Sequence, residues 1–315
     1  MRLAFLGTGL ATDLHSRTLA AIAPRVERWY ASRNRARAAR AAAHHKGAGV
    51  FDSYEAALAD PTIDAVLVGL PPALHLDWTL RALDESKHVI VEKPPFLRAD
   101  DVPAVQAAAA RANRQVLVAE NYVYKPLTNL LRRVVERGDL GTILFIQLNA
   151  LKRQPTGDWR DDLDLAGGGA LFEGGIHWVS LLAGLGLTPG RVRAAQPGPP
   201  TGSERNMLVT IEYAEGAVAA LSLSWDLPSL VNGLRVSRMF GTDGTLRFET
   251  NGLVAVQTGR KPRVYLPGLG DLAGYRAMFR DFLQAIDRNA PPRYNLGLAR
   301  RDLALIEDAY RSAAR

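Results

Sequence analysis

The first 120 residues alternate short apolar runs with helical stretches, and that alternation leaves few folds open. Leu3-Ala4-Phe5-Leu6 runs into Gly7-Thr8-Gly9-Leu10-Ala11-Thr12. An amphipathic stretch follows, with Leu14, Thr18, Leu19 and Ile22 on one helical face until Pro24 stops it. Val26–Ala31 reads as the next strand, and an alanine- and arginine-rich helix follows to about His45. Ser53 is placed to cap a short helix through Leu58. Asp64–Leu70 is apolar nearly throughout, as a strand buried on both faces must be. Beyond Pro71-Pro72 a helix opens at His75, and His88–Val91 forms another strand. A helix from about Asp101 to Asn113 and a fifth strand, Gln115–Glu120, complete the series. Strands separated by helices in this way predict a doubly wound parallel sheet.

After Glu120-Asn121-Tyr122 the pattern changes. A helix from Pro126 to Arg137, stopped by Gly138, leads to a strand over Thr142–Leu151. A loop with Trp159, Arg160 and Gly167-Gly168-Gly169 precedes an apolar helix from about Phe172 to Leu185. Seven strand-like segments then follow at short intervals: Arg191–Ala195, Met207–Tyr213, Ala217–Trp225, Leu234–Phe240, Thr245–Glu249, Leu253–Gln257 and Arg263–Leu266. Glu215-Gly216, Asp243-Gly244 and Asn251-Gly252 are hairpin signals, so this second sheet is expected to be largely antiparallel. Pro197-Gly198-Pro199-Pro200 reads as a surface loop, and helices over Tyr275–Arg288 and about Gly297–Ala313 close the chain. A chain of 315 residues is long for one core, which predicts a dinucleotide-binding domain over residues 1–121 and a second α/β domain over 122–315.

Three places could carry chemistry. The glycine turn after the first strand lets the backbone approach a pyrophosphate at a helix N-terminus, which draws Gly7, Thr8, Gly9, Leu10 and Ala11 into a nucleotide cradle. Its third fingerprint position is Thr12 rather than glycine or alanine, which predicts slightly looser helix–strand packing. The second place is Glu92-Lys93-Pro94-Pro95, where two prolines set Lys93 in a stiff extended turn at the carboxyl end of a strand. Open α/β sheets bind ligands there. An ammonium group in that turn can hydrogen-bond a substrate hydroxyl and steady a developing alkoxide; the plain alternative is a solvated strand-end charge. Third, Glu173 and His177 are four apart on one helical face, where the carboxylate can orient the imidazole for proton transfer. The alternative is a helix-capping glutamate and a hydrogen-bonded core histidine.

The second strand ends in Ser32-Arg33-Asn34, with Arg37 four residues past Arg33 and no carboxylate between Glu27 and Asp52. An acid at that point would repel a 2′-phosphate, whereas Ser32 and Arg33 can bind one, so NADP(H) is expected over NAD(H); the plain alternative is that these arginines form a solvated basic face. Leu70, Pro71, His75, Glu92, Lys93, Pro94 and Asn121, at strand ends or helix starts on the same side, complete the expected cofactor set. His15 and His75 could be packing or phosphate-contact residues, His44 and His45 read as solvated, and no cluster has metal-ligand spacing.

Together, Gly7-Thr8-Gly9, Glu92-Lys93-Pro94, Glu120-Asn121-Tyr122 and the Gly167-Gly168-Gly169-Ala170-Leu171 segment leading to Glu173 and His177 resemble the glucose–fructose oxidoreductase/inositol dehydrogenase (Gfo/Idh/MocA) family. The resemblance implies a Rossmann domain, then an α/β domain whose open antiparallel sheet serves as an oligomer interface, giving a homodimer or homotetramer. It also implies nicotinamide-dependent oxidation or reduction of sugars, cyclitols and their derivatives, with Lys93 as the catalytic lysine and His177 as the acid/base. Glu173 stands where the family usually has aspartate, and Ser180 where many members have another acid. A transhydrogenating enzyme that retains its cofactor is a second reading. A cofactor-binding sensor or scaffold without turnover is a third.

Composition narrows the field. The chain has no cysteine, which excludes disulfides and a cysteine nucleophile. Its net charge of +7 comes mostly from arginines, scattered apart from Arg33, Arg35, Arg37 and Arg40 and without an aromatic-interleaved patch, which argues against nucleic acid. No apolar run approaches a membrane span, and the N-terminus enters a strand directly, so no signal peptide and a cytoplasmic location are expected.

Overall fold

The computed structural model describes residues 1–198, 202–228 and 234–314. They form two compact units: residues 1–120 with 275–300, and residues 121–274 with 301–315. The sequence places a single break after residue 121; the structure instead returns 275–300 to the first unit. The reason is the buried face of one helix, whose Met278, Phe279 and Phe282 are fully covered and whose Phe279 meets His15 edge-on.

In the first unit, strands β1 (Arg2–Leu6), β2 (Glu27–Ala31), β3 (Gly49–Phe51), β4 (Ala65–Val68), β5 (His88–Val91) and β6 (Val116–Val118) form one sheet. Its order is β3-β2-β1-β4-β5-β6, and every pairing is parallel. Leu3–Leu6, Ala65–Val68 and Val89–Val91 have no exposed surface, as expected for strands covered by helices on both faces. The intervening helices are α1 (Leu10–Ile22), α2 (Arg35–His45), α3 (Tyr54–Ala59), α4 (His75–Asp84) and α5 (Val102–Ala112). Ser53 caps α3 by accepting the Ala56 N–H at 3.0 Å, as its position predicts. Strand β3 has no counterpart in the sequence reading, because three residues beginning with glycine carry no periodicity. The strand order reverses between β1 and β4, where such sheets open a crevice at their carboxyl ends.

The second unit contains α6 (Pro126–Glu136), β7 (Ile143–Leu151), α7 (Leu163–Ala166), α8 (Ile176–Ala183) and strands β8 (Pro189–Ala195) to β14. The remaining strands are β9 (Asn206–Tyr213), β10 (Val218–Ser224), β11 (Val236–Gly241), β12 (Gly244–Glu249), β13 (Ala255–Gly259) and β14 (Arg263–Tyr265). Their order is β14-β13-β12-β11-β7-β10-β9-β8. Among the described residues only β7 with β10 is parallel, so the sheet is mixed and mostly antiparallel. All three expected hairpins form: β9–β10, β11–β12 and β12–β13. Ile146 and Leu148 of β7 are buried on one side, while Phe145, with Leu208, Val236, Val256 and Val264 from other strands, is exposed on the sheet. Pro199 and Pro200 of the expected proline loop lie outside the described residues. Helix α9 (Tyr275–Asp287) belongs to the first unit, and α10 (Leu296–Ala313) runs from the first unit into the second.

Candidate active site

The glycine turn of the first unit begins where β1 ends. Gly7 has φ +111°, and a Cβ there would lie 2.4 Å from the Gly69 carbonyl oxygen, so only glycine lets the turns after β1 and β4 approach this closely. Helix α1 then starts at Gly9 with no side-chain cap on its first N–H groups. Leu10 is 82% exposed, and a Cβ on Gly9 would meet no atom within 4 Å. Open, uncapped amides at the positive end of a 13-residue helix fit the pyrophosphate of a dinucleotide. Thr12 departs from the expectation of looser packing. It is buried, and its hydroxyl donates to the Gly7 carbonyl at 2.9 Å, locking the turn it follows.

At the end of β2, Ser32 is buried and its Oγ accepts the Asn34 N–H at 3.2 Å; Asn34 in turn caps α2 by accepting the Arg37 N–H at 3.2 Å. Both side chains thus shape the turn. Arg33 is exposed and lies beside Tyr54, whose phenol is pushed up by burial and pulled back by that guanidinium. Arg37 and Arg40 line a pocket together with Thr8, Gly9, Thr12 and Asp13. His45 is not solvated as expected. Its side chain is 7% exposed and its ring stacks on Tyr30, and burial followed by the charges of His44, Arg17 and Arg28 pushes its pKa down. Asp13, His44 and His45 bring three ligand atoms within 4.8 Å, a grouping that the sequence spacing did not show. Arg17 is ion-paired to the same aspartate, and Arg37 and Arg40 line the same pocket.

The Lys93 turn continues the sheet by one bond, from the Glu92 N–H to the Val68 carbonyl at 3.1 Å, and the Lys93–Pro94 peptide is cis. Glu92 is 14% exposed; one carboxylate oxygen meets His15 Nε2, and the other accepts the Lys93 N–H at 3.2 Å. Burial pushes this carboxyl up, but His15, Lys93 and His75 outweigh it and hold it below the usual range. His15 and His75 are core residues at 1% and 0% exposure. His15 packs edge-on against Tyr275 and Phe279, and both ring nitrogens of His75 face backbone carbonyls, so neither ring is presented to a phosphate.

In the second unit the glycine triplet is a packing requirement. A Cβ on Gly169 would lie 2.1 Å from Glu204 Oε2, and Glu204 is buried where it accepts the Leu171 N–H and the Tyr310 hydroxyl, each at 2.8 Å. The chain then forms a π-helical turn, Leu171–Gly175, before α8, where the sequence predicts a single α-helix. Single π turns inside helices are frequent at functional sites. The turn carries Glu173, whose carboxylate lies 3.5 Å from Arg160 Nε, with the Arg160 guanidinium stacked 4.6 Å over Trp159.

His177, on α8, stacks on Tyr122 with centroids 4.3 Å apart and 14° between the planes. Trp178 meets the edge of Tyr122 at 4.8 Å, and Lys125 Nζ lies 4.2 Å from the Tyr122 centroid. The buried side chain of Asn121 donates to the Ala273 carbonyl at 2.6 Å and leaves Oδ1 without a partner. Ser180 is fully buried and donates to Asp302 at 2.6 Å, so α10 supplies the carboxylate that this position itself lacks.

The sequence does not single out Tyr122 and Lys125, which the structure places beside His177 and beside the Tyr122 ring, nor the His15–Glu92 contact. Tyr122 did stand inside a quoted triplet, and an aromatic where a parallel sheet gives way to a helix was a usable signal.

Two family descriptions match the chain. Residues 1–120 match the oxidoreductase family with an NAD-binding Rossmann fold, and residues 128–247 match the GFO/IDH/MocA C-terminal domain. The chain is 32% identical over 292 residues to D-xylose 1-dehydrogenase (NADP(+)) 2 of Haloferax volcanii, covering 90% of this chain and 88% of that protein. It is 37% identical over 165 residues to dTDP-3,4-didehydro-2,6-dideoxy-alpha-D-glucose 3-reductase of Streptomyces violaceoruber, covering 50% of this chain but only 46% of that protein. Its fold is similar to that of a levoglucosan dehydrogenase solved with NADH and levoglucosan, at a TM-score of 0.88 and 21% identity over 100% of this chain and 97% of that one.

Proposed function

Because the chain belongs to the Gfo/Idh/MocA family of oxidoreductases, we propose that it oxidises or reduces a secondary alcohol or ketone of a sugar, a cyclitol or a related derivative. The observation that carries this reading is the carboxyl edge of the parallel sheet, where an uncapped helix N-terminus and the Lys93 turn occur together. When bound, the nicotinamide accepts or supplies the hydride. Lys93 hydrogen-bonds the substrate oxygen and stabilises negative charge as it develops there. His177 takes or returns the hydroxyl proton. Glu173, whose carboxylate lies 3.5 Å from Arg160 Nε, orients His177 in this reading.

NADP(H) over NAD(H) is part of the same proposal. It is supported by the exposed Arg33 and Arg37, by the lack of any acid between Glu27 and Asp52, and by similarity to an enzyme named for NADP(+). The levoglucosan dehydrogenase of similar fold was solved with NADH. Thr8, Gly9, Leu10 and Ala11 would hold the pyrophosphate, with Leu70, Pro71, Pro94 and Asn121 as further cofactor contacts. A homodimer or homotetramer formed through the open sheet face is supported by the exposed Phe145, Leu208, Val236, Val256 and Val264. Residence in the cytoplasm belongs to the proposal as well, and cell fractionation checks it.

The test is a screen of sugars, cyclitols and keto-sugars with either dinucleotide, read by absorbance of the reduced nicotinamide. Turnover of at least one such compound, faster with NADP(H), is expected. No turnover across the panel would contradict the proposal.

A further inference from the structure

His75 opens α4 with no exposed surface, and its ring lies between two main-chain carbonyls. Nδ1 is 2.8 Å from the Pro94 oxygen and Nε2 is 2.7 Å from the Leu70 oxygen. A neutral imidazole carries one N–H and can serve only one of them. Its other nitrogen would point a lone pair at an oxygen lone pair at contact distance. The doubly protonated ring donates to both. Burial is the largest influence on the ring and draws its pKa below the ordinary histidine value, against the Leu70 and Pro94 carbonyls and the Glu92 carboxylate, which favour the cation. A buried cation needs a counter-charge close by. Glu92 provides it, and His15 and the Lys93 N–H share the same carboxylate.

We infer that His75 is held as an imidazolium, and that its two donated bonds clasp the turn after β4 to the turn that carries Lys93. Against the pull of burial stands the geometry: carbonyl oxygens at 2.8 and 2.7 Å each call for a donor, and only the doubly protonated ring supplies two. His75 is then a positioning residue. It fixes Pro94, the neighbour of Lys93, against Leu70, so Lys93 and the nucleotide cradle keep one spacing. Its effect on turnover rests on the function proposed above; its protonation does not.

Nitrogen-15 NMR of the full chain, labelled at histidine, reads each ring directly. The His75 signals are assigned by through-bond correlation in the native protein and by their loss in His75→Gln. Two protonated ring nitrogens at neutral pH are expected. A single bare nitrogen at neutral pH would overturn the inference. Glu92→Gln should let the proton leave at lower pH, and an unmoved titration would overturn the assignment of Glu92 as counter-charge. In folded His75→Gln, kcat should fall about 10²-fold with KM little changed, the usual effect of a slight misplacement of a catalytic group. Native kcat in that variant would overturn the positioning role. If the native protein turns over no sugar, the proposed function fails while the NMR outcome still decides the charge of His75.

Discussion

The Lys93 turn and the His177 helix both present a polar group from apolar surroundings, but they are held in different ways. Hydrogen bonds to the main chain fix the Lys93 segment: Glu92 to the Lys93 N–H, His75 to the carbonyls of Leu70 and Pro94. Ring faces fix His177, stacked on Tyr122, which in turn meets Trp178 and Lys125. A hydrogen-bonded clasp is directional, and a lost partner leaves a buried polar atom unsatisfied. Stacking depends on area and tolerates any flat ring of similar size. The first arrangement should therefore be intolerant of isosteres and sensitive to pH, and the second tolerant of aromatic exchange.

The comparison can be broken most sharply at His177 itself. His177→Ala should lower turnover about 10²–10⁴-fold, the range for a positioned acid/base, as measured by steady-state kinetics. A near-native rate would leave the second unit with no catalytic part. On the cradle side, Arg33→Asp should weaken NADP(H) by roughly 1.5–3 kcal/mol, the worth of a charge-assisted bond, with little change for NAD(H). Equal losses for the two cofactors in a titration of dissociation constants would remove the 2′-phosphate role.

Glu92 tests the clasp through stability. Glu92→Leu removes the carboxylate that accepts the Lys93 N–H and should cost about 1–3 kcal/mol in a denaturation experiment. The native carboxyl is held below its ordinary value of 4.5, so its contribution is present above that value and is lost as pH falls through the lower, folded one. Glu92→Gln should abolish that part of the acid sensitivity, and an unchanged acid limb would show that Glu92 is not the group involved. The smallest effect is expected at Tyr122. Tyr122→Phe should retain turnover and stability, whereas Tyr122→Leu should lose about 0.5–1.5 kcal/mol of stability together with turnover. Equal behaviour of the two variants would mean that the ring face is not what holds His177.

Local motifs were legible in the sequence because their physics is local. The Gly7-Thr8-Gly9 turn, the cap at Ser53, the proline stop after Lys93 and three hairpin glycines each act within a few residues. Strand β3 escaped because Gly49-Val50-Phe51 is too short to show a period. The π turn at Glu173 escaped because its apolar pattern matches that of an α-helix. Amphipathicity showed that α9 buries one face but not what covers it, so the return of 275–300 to the first unit was not readable. The same limit hid the partners at the site: His15 and Glu92 are 77 residues apart, and nothing in either local pattern points to the other. Glu173 and His177, by contrast, were paired on spacing, and the structure adds Arg160 to one and Tyr122 to the other.

In the proposed reaction Lys93 acts at the substrate oxygen rather than on the cofactor. The direct test is Lys93→Ala, with single-turnover hydride transfer and NADP(H) dissociation measured on the same preparation. Hydride transfer should fall about 10²–10³-fold, the cost of removing a donor aimed at developing charge, while the dissociation constant stays close to native. Native hydride transfer in this variant, or a loss matched by an equal loss of cofactor affinity, would contradict the account.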